Sequence, residues 1–118
     1  MLSCGVDSVL ISRIEHSMQK ESFMQRIYSK EERAYIKAKH NAAESAAGHY
    51  AAKEALLKAL GTGITSLDLH EIGITHTEQG APIFAFSGKA AQTFNGKEIS
   101  LSITHAGDYA TAFVVIAE

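Results

Sequence analysis

A Lys-Glu pair, a second lysine four residues after the glutamate, and then Gly-Thr-Gly form the densest concentration of possible chemistry in this 118-residue chain. Lys53, Glu54 and Lys58 lie in GHYAAKEALLKALGTGI, residues 48–64. A hard carboxylate oxygen and two ammonium groups beside backbone that a ligand can approach closely suit a metal-bound polyphosphate. The plainer reading of Glu54 is an ion pair with Lys58 one helical turn on, worth only about 0.2–0.5 kcal/mol.

High helix propensity from Ala42 to Leu60, with no proline and one interior glycine, predicts a single helix carrying all three groups. Tyr50, Glu54 and Leu57 follow a 3, 4 spacing, so the carboxylate shares a side with residues expected to be buried. Gly61 stands where a helix is capped, and Thr62-Gly63 prolong the permissive backbone. A P-loop places its glycines before a helix, where phosphate meets the positive end of the dipole. Here they follow it, so any phosphate must be held chiefly by lysines and a cation.

The elements on either side supply further candidates. Residues 1–11, MLSCGVDSVLI, read as a buried strand with Cys4 as a core thiol and an acid, Asp7, in its middle. An acid there is expensive unless paired or bound to a cation. Capping-box spacings at Ser12/Glu15, Ser22/Gln25 and Ser29/Glu32 predict short helices over about residues 13–20, 23–28 and 30–39, with Asn41 ahead of the long one. Ile14, Met18, Phe23 and Ile27 supply their buried side and leave Arg13, Lys20 and Arg26 outward.

Beyond the glycines, Leu67 to Thr77 reads as a strand, turned by Glu78-Gln79-Gly80 into the return strand PIFAF. A short helix from Ser87 to Phe94 follows, then an alternating strand through Ile99, Leu101 and Ile103, a turn over residues 105–108, and a last strand from Tyr109 to Ala117. The fold class expected is α+β, one small domain spanning residues 1–118, with an antiparallel sheet packed against one long and several short helices.

Size and composition agree with one globular domain: 46% of residues are hydrophobic and 20% charged. No apolar run reaches the roughly 18 residues of a membrane span, and the N-terminus resembles no export signal. One cysteine permits no intrachain disulfide, compatible with a cytoplasmic setting. The net charge of −2 conceals an excess of three positive charges between Arg13 and Lys39. An acidic protein steered to that segment, or simply a solvated face, accounts for it better than nucleic acid does. Of the histidines, His16 and His40 read as surface residues, and His70 and His76, about 20 Å apart along a strand, as no joint metal site. His105, ending a strand beside a turn, is placed for ligand contact or for a structural cap.

KEALLKALGTG, with Gly5-Val6-Asp7 before it and Ser102-Ile103-Thr104-His105 followed by Tyr109-Ala110 after it, resembles the holo-acyl carrier protein synthases, small phosphopantetheinyl transferases. The three blocks stand in the family's order and cover essentially the whole chain. The resemblance implies transfer of the phosphopantetheine of coenzyme A to a carrier-protein serine, release of adenosine 3′,5′-bisphosphate, and service to fatty acid biosynthesis. It implies Asp7 and Glu54 as ligands of Mg²⁺ and Lys53 and Lys58 as charge-stabilising groups. It also implies close backbone approach at Gly61 and Gly63, coenzyme contact by His49 and His105, and docking of acidic acyl carrier protein on Arg13, Lys20 and Arg26. Assembly as a trimer, with the nucleotide between subunits, is a further implication.

Three positions depart from the pattern. His49 replaces an arginine, and imidazole is a weaker, pH-dependent anion partner than guanidinium. Leu57 and Ala106 also differ, and none of the three removes an expected metal ligand. Two other functions suit the same residues: a module that binds coenzyme A or carrier protein without transfer, and a Mg²⁺-dependent nucleotide phosphohydrolase.

Overall fold

The computed structural model describes residues 1–61 and 66–118. Gly63 falls outside the described residues. Strand β1 (Leu2–Leu10) leads directly into α1 (Ile11–Ser17), followed by α2 (Glu21–Ile27), α3 (Lys30–Lys37) and the 19-residue α4 (Ala42–Leu60). A 3-10 turn at Leu69–Glu71 precedes β2 (Ile72–His76), β3 (Pro82–Phe86), α5 (Gly88–Thr93), β4 (Glu98–Ala106) and β5 (Tyr109–Ala117). The strands pair antiparallel, in a three-stranded sheet of order β1-β5-β4 and a separate hairpin β2-β3. This is the α+β arrangement expected.

Alanines make α4 the axis of the molecule. Ala46, Ala47, Ala51, Ala52, Ala55 and Ala59 are all buried, and their small side chains let the sheet lie close to the helix. Gly5 marks the tightest approach: a Cβ there would stand 2.1 Å from the Ala55 carbonyl oxygen and 2.6 Å from the Ala59 nitrogen. Only glycine lets β1 cross α4 at this point. The crossing carries Asp7, on the same side of the strand, towards the last turns of the helix.

Only one face of the three-stranded sheet is covered. Gly5 and Val9 of β1 and Ala110, Ala112, Val114 and Ile116 of β5 are buried, whereas Leu2, Val6, Leu10, Tyr109 and Phe113 are exposed. The expected core thiol, Cys4, is exposed among them. Alternation with period two, masked by apolar residues on both faces, accounts for the difference.

The caps differ from expectation at two of three boxes. Ser29 and Glu32 form both reciprocal bonds, Glu32 N–H to Ser29 Oγ at 3.1 Å and Ser29 N–H to Glu32 Oε1 at 2.9 Å. Neither Ser12 nor Ser22 caps, because α1 and α2 begin earlier. The Ile11 N–H donates instead to the Asp108 carbonyl in the β4–β5 turn, 2.9 Å away. The strand expected from Leu67 begins only at Ile72. The Leu69 and Ile72 carbonyls accept from the Lys53 ammonium, at 3.0 and 2.6 Å, so the chain enters β2 through a turn held by α4.

Candidate active site

Where β1 crosses the C-terminal turns of α4, Asp7, Glu54 and Lys58 gather. Lys58 Nζ donates to Asp7 Oδ1 at 3.0 Å and to the Val6 carbonyl at 3.1 Å. Among the described ion pairs Lys58 is joined to Asp7 and not to Glu54, which removes the plain reading of the Glu54 carboxylate. Glu54 is half-buried, and its carboxyl is raised above its usual value first by burial and next by the negative charge of Asp7; Lys58 and Arg13 oppose. Two acids from separate elements thus repel one another at one place, and a cation of the chain's own already rests on one of them. Carboxylates with a backbone carbonyl are the hard oxygen donors that Mg²⁺ selects, so the residues present fit that ion.

Gly61 caps α4 as expected, with φ +80° and its N–H donating to the Lys58 carbonyl at 3.1 Å. Arg13 is exposed on α1 with its guanidinium 5.9 Å over the Tyr50 ring, one turn of α4 before Glu54. Lys20 and Arg26, with His16, line a recess of about 300 Å³ around Phe23. Of the basic segment, Arg13 is close enough to the paired acids to act on Glu54.

Lys53 is elsewhere. It is fully buried, and its three ammonium protons are taken by Glu32 Oε1 at 2.6 Å and by the Leu69 and Ile72 carbonyls. Burial pushes the ammonium down, with the Glu32 charge opposing. Its expected part in stabilising phosphate charge is corrected: adjacent positions on a helix diverge by about 100°, so Glu54 and Lys53 address different environments. Lys53 ties α4 to α3 and β2.

His49 belongs to this interior network. Its Nδ1 donates to Glu32 Oε2 at 2.8 Å, and its ring packs beside those of Tyr35, with centroids 5.5 Å apart, and His76, 5.2 Å away, which stack on each other at 4.3 Å. Burial pushes the Glu32 carboxyl up, but the bonds from His49, Lys53 and the Ser29 N–H outweigh it and hold the group ionised below its usual range. His105, exposed on β4, bonds through Nε2 to the Glu44 carbonyl at 2.9 Å; it is part of a strand, not of the turn expected there. His49, His76 and His105 line a common cleft of about 220 Å³. Tyr35 escaped the sequence reading, and His76 was weighed there only as a metal partner of His70. Ser29/Glu32 signalled only a cap, and nothing local paired Glu32 with residues 17 and 21 positions on.

A model of the 4′-phosphopantetheinyl transferase superfamily matches residues 3–114. The chain belongs to that superfamily. A holo-(acyl-carrier-protein) synthase of Clostridium kluyveri is 40% identical over 95% of this chain and 87% of its own length. Another, of a Sulfurovum species, is 40% identical over 98% and 96%. Among solved structures, the holo-(acyl-carrier-protein) synthase of Neisseria meningitidis aligns with a TM-score of 0.89 at 31% identity, covering 98% of each chain. That of Helicobacter pylori, in complex with coenzyme A, aligns at 0.83 and 36% identity over 97% of this chain and 99% of its own. The transferase is thus an enzyme of phosphopantetheine transfer.

Proposed function

We propose that the enzyme transfers the 4′-phosphopantetheine of coenzyme A to a serine of an acidic apo acyl carrier protein, with Mg²⁺ held by Asp7 and Glu54. The serine oxygen forms a bond to the phosphorus of the phosphopantetheine arm, and the bond from that phosphorus to the bridging pyrophosphate oxygen breaks. Adenosine 3′,5′-bisphosphate leaves, and the serine proton goes to a nearby carboxylate or to water. The observation that carries this reading is the meeting of Asp7 and Glu54 across the β1–α4 crossing, with the Lys58 ammonium already seated there.

When bound, Mg²⁺ supplies positive charge to the pyrophosphate oxygens. Lys58 adds a mobile ammonium next to it, and the chain's rigid elements hold attacker and leaving group in line, which is most of what such a transfer requires. Arg13, Lys20 and Arg26 offer the acidic carrier a docking face leading to that point. His49 and His105 face the 3′-phosphate of the coenzyme. The exposed apolar face formed by Leu2, Val6, Leu10, Tyr109 and Phe113 favours assembly with further copies of the chain, a trimer by resemblance. The reaction serves fatty acid biosynthesis in the cytoplasm.

Incubation with apo carrier protein, coenzyme A and Mg²⁺ tests the reading by mass spectrometry. A carrier heavier by one phosphopantetheine, with equimolar adenosine 3′,5′-bisphosphate, is expected. Release of inorganic phosphate with an unmodified carrier contradicts it in favour of hydrolysis, and tight binding without product favours a binding module.

A further inference from the structure

The cleft containing His49 on α4, His76 at the end of β2 and His105 on β4 has Tyr35 and Ser45 at its sides and, among the described residues, no lysine or arginine in its lining. Lys39, 4.7 Å over the Tyr35 ring, is an ammonium behind the wall. Any anion in this cleft meets imidazoles first.

The Glu32 carboxylate fixes the form of one of them. Because ionised Glu32 accepts from Nδ1 of His49, that nitrogen carries the proton, and neutral His49 presents Nε2 as a bare lone pair. Among the described residues Nε2 is buried without a partner, and the same holds for Nδ1 of His76. A buried polar atom left without a partner is costly and calls for an explanation. Adding a proton to His49 turns Nε2 into a donor that no atom of the described residues receives. An anion oxygen entering the cleft supplies the acceptor, so the proton and the anion each make the other's arrival easier.

The surrounding charges agree. From α3 come Glu32 and Tyr35, followed by Lys39; α4 contributes Lys53 beside His49; β2 contributes His76 and β4 His105. Glu32 and Lys53 cancel, which leaves the cleft short of positive charge until an imidazole is protonated. Burial pushes His76 down, and His49 and Lys39 push the same way, with Glu32 opposing. Burial thus favours the neutral form of His76 in the empty cleft.

We propose that this cleft takes up a phosphate monoester together with a proton held by the His49–His76 pair, so that preference for coenzyme A over its form lacking the 3′-phosphate is strong near neutrality and fades as pH rises. The proposal rests on the transferase reading above and adds the coupling of phosphate recognition to protonation. One coupled proton changes affinity by at most about tenfold per pH unit. The second ionisation of the phosphate, near about pH 6, is largely complete over the range that matters.

The test is the ratio of kcat/KM for coenzyme A to that for dephospho-coenzyme A between about pH 6.5 and 8.5, a window in which imidazole loses its proton. In the wild type the ratio falls by about tenfold across that range. His49→Gln and His76→Gln give low ratios that change little with pH, whereas His49→Arg gives one that stays high. Calorimetry of adenosine 3′,5′-bisphosphate in buffers of differing ionisation enthalpy supplies a second readout: the wild type takes up protons on binding, and takes up none with dephospho-coenzyme A, which has no phosphate monoester. A wild-type ratio independent of pH, or binding of the bisphosphate without proton uptake, overturns the proposal. Absence of transfer from both donors, with the bisphosphate still bound and protons still taken up, sinks the transferase reading and leaves the proton-coupled site standing.

Discussion

Lys58 Nζ lies 3.0 Å from Asp7 Oδ1, joining residues 51 positions apart where the first strand crosses the long helix. On the proposed role of Asp7, the ammonium occupies ground that Mg²⁺ would need. Lys58 is more than half exposed and Asp7 only partly, so the lysine is free to swing away and meet phosphate while the aspartate stays in place. Lys58→Ala is therefore expected to tighten Mg²⁺ binding to the substrate-free enzyme by about two- to fivefold, the range of a surface ion pair. The same variant loses kcat/KM for coenzyme A. Calorimetric Mg²⁺ titration and steady-state kinetics check the two effects, and weaker Mg²⁺ binding in the variant contradicts this role.

The raised carboxyl of Glu54 makes stability depend on pH in a stated direction. A folded-state value above the unfolded one, about 4.3 for glutamate, means that the folded form holds the proton more tightly. Stability from this group is complete below that value and is lost as pH rises through the folded value. Glu54→Gln should thus match the wild type in thermal midpoint near pH 3 and exceed it at pH 7 in the absence of metal. Saturating Mg²⁺ should close the gap by raising the wild type alone. Identical midpoints at pH 7 would show that the two acids do not strain each other.

Breaking the Lys53–Glu32 pair by losing the lysine leaves a buried carboxylate without its opposite charge, and the Leu69 and Ile72 carbonyls without their donor. Lys53→Met is expected to cost about 3–5 kcal/mol in chemical denaturation. Removing both charges, in Glu32→Gln with Lys53→Met, should cost less than the single change. A stable Lys53→Met protein with abolished transfer would return Lys53 to the chemistry.

Phe113 faces outward, opposite Val6 on β1 and Ser102 on β4. At 46% and 53% exposed, Phe113 and Val6 form the centre of an apolar surface on the sheet's open side. Phe113→Asp is expected to yield monomers in analytical ultracentrifugation and to lose transfer, if neighbouring copies complete the coenzyme site. Unchanged association would place that face outside the assembly.

The sequence displayed the long helix, its glycine cap, the Ser29/Glu32 box and the alternation of β4 because each is a local signal between residues a few positions apart. The juxtaposition of Asp7 with Glu54 was reachable only through the family pattern. It depends on Gly5 meeting Ala55, a long-range contact that no spacing reveals. Lys53 was misplaced for a related reason: KEA puts two charged groups side by side in sequence, whereas the helix sends one to the surface crossing and the other to Glu32. The Tyr35–His76–His49 stack joins α3, β2 and α4, and none of its three members carries a mark of it in the local sequence.

On the proposed mechanism, Asp7 and Glu54 together hold the one divalent ion on which transfer depends. Phosphopantetheine transfer by Asp7→Asn and Glu54→Gln, each measured across a Mg²⁺ titration with folding monitored in parallel, tests it most directly. Both folded variants should lose more than about a hundredfold in rate, beyond what loss of an outer-shell partner costs a metal site. A folded variant of either acid that transfers at close to the wild-type rate at ordinary Mg²⁺ would contradict the account.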